Sequence, residues 1–140
     1  MVNLYIADSL KAMRHESGIV GYVIEYGKKT VTQFGSVIDC TKDQAELRGL
    51  KYALGRISED EDVRIYTDST LIKSAFERDW IAGWIERDWK TVKGKDVANK
   101  EEWKEVVTRL GNRRPEVIVG ENHPYRNWLA REVERRLNYV

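Results

Sequence analysis

Val63-Arg64-Ile65-Tyr66-Thr67-Asp68-Ser69 is a β-branched and aromatic run closed by an acid and a hydroxyl, and it decides the reading of the fold. Such a run reads as a strand. Before it lies a helical pattern whose apolar face is Ala45, Leu47, Leu50, Ala53, Leu54 and Ile57, with Thr41 or Asp43 as its cap and Ser58 to Asp62 as its break. A strand that follows a helix is most simply placed parallel to an earlier strand by a crossover. That earlier strand is Asn3 to Ala7. Ile19 to Glu25 and Thr30 to Val37, joined by the turn Tyr26-Gly27-Lys28-Lys29, extend it into an antiparallel meander. Further on, Ser69 to Glu77, Trp80 to Asp88 and Glu101 to Leu110 read as helices and Arg114-Pro115 as a boundary. Glu116 to Val119 is a last short strand, and a helix from about Arg126 to Leu137 closes the chain. The expected class is α/β, with no internal repeat or linker.

The 140 residues suit one domain spanning 1–140, since a chain this long buries about two-thirds of its unfolded surface. With 41% hydrophobic and 34% charged residues the composition is that of a soluble globular protein. A net charge of +1 offers no bulk attraction for nucleic acid, so any such partner must meet a local patch. Cys40 is the only cysteine, which excludes an internal disulfide and a thiolate-rich metal site and suits a reducing compartment. No apolar run is long enough to span a bilayer and the opening residues lack a leader pattern, so no membrane partner and a cytoplasmic location are expected.

Asp8, Glu46 and Asp68 each stand where a strand ends or a helix begins. Elements converging at one sheet edge can bring such residues to one point, as a divalent-metal cage requires. An acid in such a place more often caps a helix than binds a ligand. Glu46 resists that reading. It lies between Ala45 and Leu47 on the side that carries Leu50 and Ala53, where an unpaired charge is costly, so something positive should be near it.

The order of Asp8, Glu46 in Asp43-Gln44-Ala45-Glu46-Leu47-Arg48-Gly49-Leu50, and Thr67-Asp68-Ser69 resembles ribonuclease H of type 1. The segment Trp80-Ile81-Ala82-Gly83-Trp84-Ile85-Glu86-Arg87-Asp88-Trp89-Lys90, followed by Gly94 to Asn99 and Trp103, is similar to the tryptophan-rich helix and basic loop with which that family holds the DNA strand of a hybrid. The resemblance covers essentially the whole chain. It implies a ribonuclease H-like fold, with a mixed five-stranded sheet whose first three strands are antiparallel and which is flanked by helices. It further implies a monomer that cleaves the RNA strand of RNA/DNA hybrids to 5′-phosphate and 3′-hydroxyl ends, using two Mg²⁺ or Mn²⁺ ions. Asp8 would then contact both ions, with Glu46 and Asp68 dividing the remaining positions. Hard oxygen donors are what such ions require, and a pair about 4 Å apart can activate water and neutralise the leaving oxygen.

Two departures from the family pattern stand out. Relatives place Asp ahead of a Leu-Ala pair at the start of the last helix, and here Asn127-Trp128-Leu129-Ala130 offers an amide oxygen without charge. Asn127 is therefore either the fourth ligand or a cap of the final helix. The segment Gly120-Glu121-Asn122-His123-Pro124-Tyr125-Arg126 is shorter than the family's glycine-histidine loop, leaving His123 or Glu121 as its mobile base. An unperturbed histidine pKa of about 6.5 suits that task.

For the substrate, Gln44 is the best candidate reader of 2′-hydroxyls, and Lys42 stands where the family commonly has Asn. Trp80 and Trp84 lie at i and i+4, although Trp84 and Trp103 equally suit helix packing. Arg87, Lys90, Lys93, Lys95, Lys100 and Lys104, with Asn99 among them, can track phosphates if interspersed acids take another face, and Ser69 at a helix start is a further phosphate contact. Loss of the fourth acid leaves a second reading open, that of a catalytically weakened hybrid-binding module on the same fold.

Overall fold

The computed structural model describes residues 1–11 and 14–138. Its elements run β1 Val2–Asp8, β2 Glu16–Tyr26, β3 Lys29–Cys40, α1 Lys42–Leu54, β4 Val63–Thr67, α2 Thr70–Glu77, α3 Trp80–Glu86, α4 Lys100–Leu110, β5 Glu116–Val119 and α5 Arg126–Leu137. The sheet order is β3-β2-β1-β4-β5. Pairing is antiparallel from β1 to β3 and parallel where β4 joins β1 and β5 joins β4. The expected mixed five-stranded sheet flanked by helices is therefore what the chain forms.

β1 is the centre of the sheet and is covered on both faces. Side chains alternate along a strand. Val2, Leu4 and Ile6 accordingly enter the large core under α1, α2 and α4. Tyr5 points the other way, with Val23, to meet Leu129 of α5. β3 is the exposed edge, and it reaches Cys40, beyond the expected Val37, because it stays paired with β2 up to Glu16 across an irregularity between Glu16 and Gly18. Gly27 closes the β2–β3 hairpin at φ +57°, a left-handed conformation that glycine adopts without strain.

α1 starts at a capping box. The Thr41 side chain accepts from the Gln44 N–H, and Gln44 Oε1 accepts from the Thr41 N–H. Gly49 then lets the helix press onto the sheet: a Cβ there would lie 2.9 Å from Val20 Cγ2 and 3.1 Å from Ile6 Cγ2. That contact lies three residues after Glu46, so the close approach also carries Glu46 down to the sheet end.

Candidate active site

β1 and β4 are parallel neighbours, so Asp8 at the end of one and Asp68 just past the end of the other emerge at the same sheet edge. α1 brings Glu46 beneath them, with no exposure at all. Glu46 Oε1 accepts from the Thr67 hydroxyl at 2.6 Å and from the Asp68 N–H at 3.1 Å. Its other oxygen, Oε2, is buried without a hydrogen-bond partner. Burial, reinforced by the adjacent Asp8 carboxylate, pushes the Glu46 carboxyl well above the usual carboxylate range, against the opposing pull of Thr67 and the Asp68 N–H.

Asp8 is as deeply set. Its side chain is 0% exposed, with Oδ1 accepting from the Leu10 N–H at 2.9 Å and Oδ2 lying 2.9 Å from Lys42 Nζ. Burial alone would lower the Lys42 pKa, but the pull of Asp8, helped by Glu46 and Asp68, outweighs it and raises it. The positive group expected near Glu46 is thus Lys42, one helical turn before it on α1. Asp68 opens more to solvent and lies 3.5 Å from Arg126 Nη1.

Asp8 and Asp68 line a small cavity of about 90 Å³ with Thr67, Glu121, His123 and Arg126. His123 is no loose loop residue. Its ring centroid sits 4.6 Å from that of Tyr5 and 5.3 Å from that of Tyr66, on a platform where Glu25 accepts from Asn3, Tyr5 and Tyr125. Burial first, then the charge of Arg126, lowers its pKa against the pull of Asp68, so the ring is neutral at pH 7. Nδ1 accepts from the Tyr125 N–H at 3.2 Å, an arrangement that leaves Nε2 to carry the proton. Glu121 is exposed at the cavity rim, and its carbonyl accepts from Arg126.

Asn127 is exposed, and it does not cap α5: Tyr125 holds the cap position, with no side-chain bond. From the first turns of α5 Arg126, Leu129 and Ala130 line the cavity, and Asn127 itself does not. Among the described residues no three of His, Cys, Asp or Glu converge closely enough to hold a metal ion. Two of the three acids are paired with cations instead, Asp8 with Lys42 and Asp68 with Arg126. Chemically the donors nevertheless fit a hard divalent cation: they are carboxylate oxygens, and Glu46 Oε2 is a buried acceptor with nothing to accept.

Several expected substrate contacts are engaged elsewhere. Ser69 is buried, caps α2 through the Ile72 N–H and donates to Asp43 Oδ1 at 2.7 Å, which removes its hydroxyl from a phosphate's reach. Gln44 is tied into the α1 cap by Oε1 and donates from Nε2 to Asn99 Oδ1 at 2.8 Å, a contact that joins the start of α1 to the start of α4. Trp84 lies in an aromatic row with Trp80, Trp89 and the buried Trp103, at centroid distances of 6.4, 6.1 and 5.4 Å, and so packs rather than projects. Trp80 is 37% exposed at the row's end. Lys90 and Lys100 pair with Asp96, whereas Lys93 and Lys95 are exposed and form no ion pair among the described residues. Sequence reasoning did not single out Arg126 or Thr67, and it read Lys42 only as a replaced polar group; the i, i+4 spacing of Lys42 and Glu46 was the available signal.

The ribonuclease H family model matches residues 2–119. A ribonuclease H of Syntrophomonas wolfei is 30% identical over 112 residues, 79% of this chain and 77% of that protein. One of Thermus thermophilus is 31% identical over 99 residues, 69% of this chain but only 60% of the relative. Among solved structures, LC9-RNase H1, described as a type 1 RNase H with the type 2 active-site motif, superposes with a TM-score of 0.72 at 21% identity, covering 99% of this chain and 72% of that one. A foamy viral protease-reverse transcriptase in complex with an RNA/DNA hybrid superposes with a TM-score of 0.71 at 14% identity, over 99% of this chain and 19% of that one.

Proposed function

This chain belongs to the ribonuclease H family, and we propose that it is a metal-dependent endonuclease that hydrolyses the RNA strand of RNA/DNA hybrids, leaving 5′-phosphate and 3′-hydroxyl ends. The observation that carries the reading is Glu46: a fully buried carboxylate, oriented by Thr67 and the Asp68 N–H, with one oxygen unpartnered beside a second buried acid. A fold gains nothing from such an arrangement unless a cation or a proton completes it. Asp8, Glu46 and Asp68 would hold Mg²⁺ or Mn²⁺, with the Asn127 amide as a neutral fourth donor. When bound, a pair of such ions supplies an activated water and a neutralised leaving oxygen.

The chain's own groups supply the rest. Thr67 keeps the Glu46 carboxylate turned toward Asp8. His123, neutral and anchored by Tyr125, holds a proton at Nε2, which suits a donor to the departing 3′-oxygen; Glu121 at the rim is the acceptor left for the attacking water. Trp80, Lys93 and Lys95 are all exposed, and we assign them to contacts with the DNA strand of the hybrid. The hybrid bound to the foamy viral relative supports this choice of substrate. We place the protein as a monomer in the cytoplasm.

The runner-up is a hybrid-binding module, favoured by one observation: Asp8 already pairs with Lys42. End-labelled hybrid incubated with Mg²⁺ or Mn²⁺ separates the two. Cleavage of the RNA strand that Asp8→Asn abolishes supports the endonuclease, while binding without cleavage in either metal selects the module.

A further inference from the structure

Lys42 of α1, the helix that carries Glu46, holds its ammonium against Asp8 at the end of β1. Its Nζ lies 2.9 Å from Asp8 Oδ2, and its side chain is 29% exposed while that of Asp8 is fully enclosed. The other Asp8 oxygen is taken by the Leu10 N–H. The Lys42 ammonium thus already occupies Oδ2, the oxygen that the Leu10 N–H leaves open. Glu46, one turn further along α1, keeps Oε2 without a partner beside the same acid. Three carboxylates, Asp8, Glu46 and Asp68, thus face Lys42 and Arg126, and the ammonium is the more deeply placed of the two cations.

We propose that Lys42 is a tethered stand-in for the divalent ion on Asp8, filling that position in the metal-free protein and leaving it when an ion binds. This deepens the endonuclease reading and rests on it for the identity of the ion. Mg²⁺ binds carboxylate oxygen at about 2.0–2.1 Å, a position that an ammonium on the same oxygen obstructs both sterically and by charge. Lysine suits the exchange, because its charge is compact and its four-carbon stem can swing the head into solvent without moving α1. An arginine forked onto the carboxylate would be harder to dislodge. The arrangement has two consequences: the metal-free site is spared the repulsion of adjacent buried acids, and divalent ions bind more weakly than the donor set alone would dictate.

The test uses two readouts that do not need catalysis. Calorimetric titration of Mn²⁺ into the full chain compares wild type with Lys42→Met, which keeps the apolar stem and removes the charge. We expect the variant to bind at least tenfold more tightly and to melt at a lower temperature than wild type in EDTA. The second readout follows acylation of the Lys42 amine in the wild-type protein by mass spectrometry, with and without saturating Mg²⁺. Reactivity should rise several-fold with the ion, and this measurement decides alone if Lys42→Met does not fold. Mn²⁺ affinity within twofold of wild type, or Lys42 reactivity that ignores Mg²⁺, overturns the proposal. Displacement of Lys42 in a protein that does not cleave hybrid would sink the endonuclease reading and leave this one standing; cleavage without displacement would do the reverse.

Discussion

Replacing Glu46 by Gln separates what the buried carboxylate does for folding from what it does for chemistry. The amide is isosteric, and its Oε1 still accepts from Thr67 and the Asp68 N–H, which stand at 2.6 and 3.1 Å from that atom. Its Nε2 replaces the unpartnered Oε2 with a donor next to the Asp8 carboxylate. A buried polar atom without a partner costs about 1–3 kcal/mol, so the metal-free variant should be more stable than wild type by roughly that amount at pH 8. For a chain of this size that is a rise in melting temperature of about 3 °C or more per kcal/mol. The pH dependence has a definite sign. Glu46 has a folded pKa above its unfolded value, so its stabilising contribution is complete below the ordinary carboxylate range and fades as pH rises through the raised value. Wild type in EDTA should therefore lose stability from pH 5 to pH 8 relative to Glu46→Gln, in thermal melts followed by circular dichroism. The same variant should lose its stabilisation by Mg²⁺ and at least about a hundredfold in kcat, as expected when a charged group acting on the transition state is removed. Parallel pH profiles, or a variant no more stable than wild type in EDTA at pH 8, would refute the account of Glu46.

Gly49→Ala should destabilise the chain by up to ~2 kcal/mol in urea unfolding, because crowding against Val20 and Ile6 costs about 1–3 kcal/mol and helix propensity returns only about 1. Asn127→Asp adds a negative charge beside the cavity that Arg126 and Ala130 line, and should move the Mg²⁺ titration midpoint to lower concentration; an unchanged titration removes Asn127 from the site. Lys93→Ala with Lys95→Ala should weaken hybrid binding and flatten its log–log salt slope by about 0.9 per lost phosphate contact, measured by fluorescence anisotropy, while an unchanged slope means that neither lysine touches a phosphate.

Much of the molecule was legible before any coordinates. Val63–Thr67 and Glu116–Val119 form strands where their β-branched runs begin and end, and Thr41 caps α1 as its side chain suggested. β3 was read short because its last residues carry little alternation and are held by partners on β2, which local pattern does not reveal. At the site, Ser69, Gln44 and Asn99 looked like free polar readers because each stands at the start of an element. Asp43, 26 positions from Ser69, claims that hydroxyl, and Asn99, 55 positions from Gln44, claims that amide. His123 reads as mobile because it lies in a loop similar to the family's glycine-histidine loop, whereas Tyr5 and Tyr66 close around its ring.

By itself the sequence determined the order of strands and helices, the crossover that sets β1 beside β4, and hence the meeting of Asp8, Glu46 and Asp68 at one edge. Those properties follow from apolar periodicity, capping and chain connectivity, all carried by neighbours in the chain. Tertiary structure alone decided which cations those acids meet. Lys42 reaches Asp8 across 34 positions and Arg126 reaches Asp68 across 58, pairings that depend on how α1 and α5 seat against the sheet. A side chain's charge is written at its own position, whereas the partner that compensates it is chosen by packing.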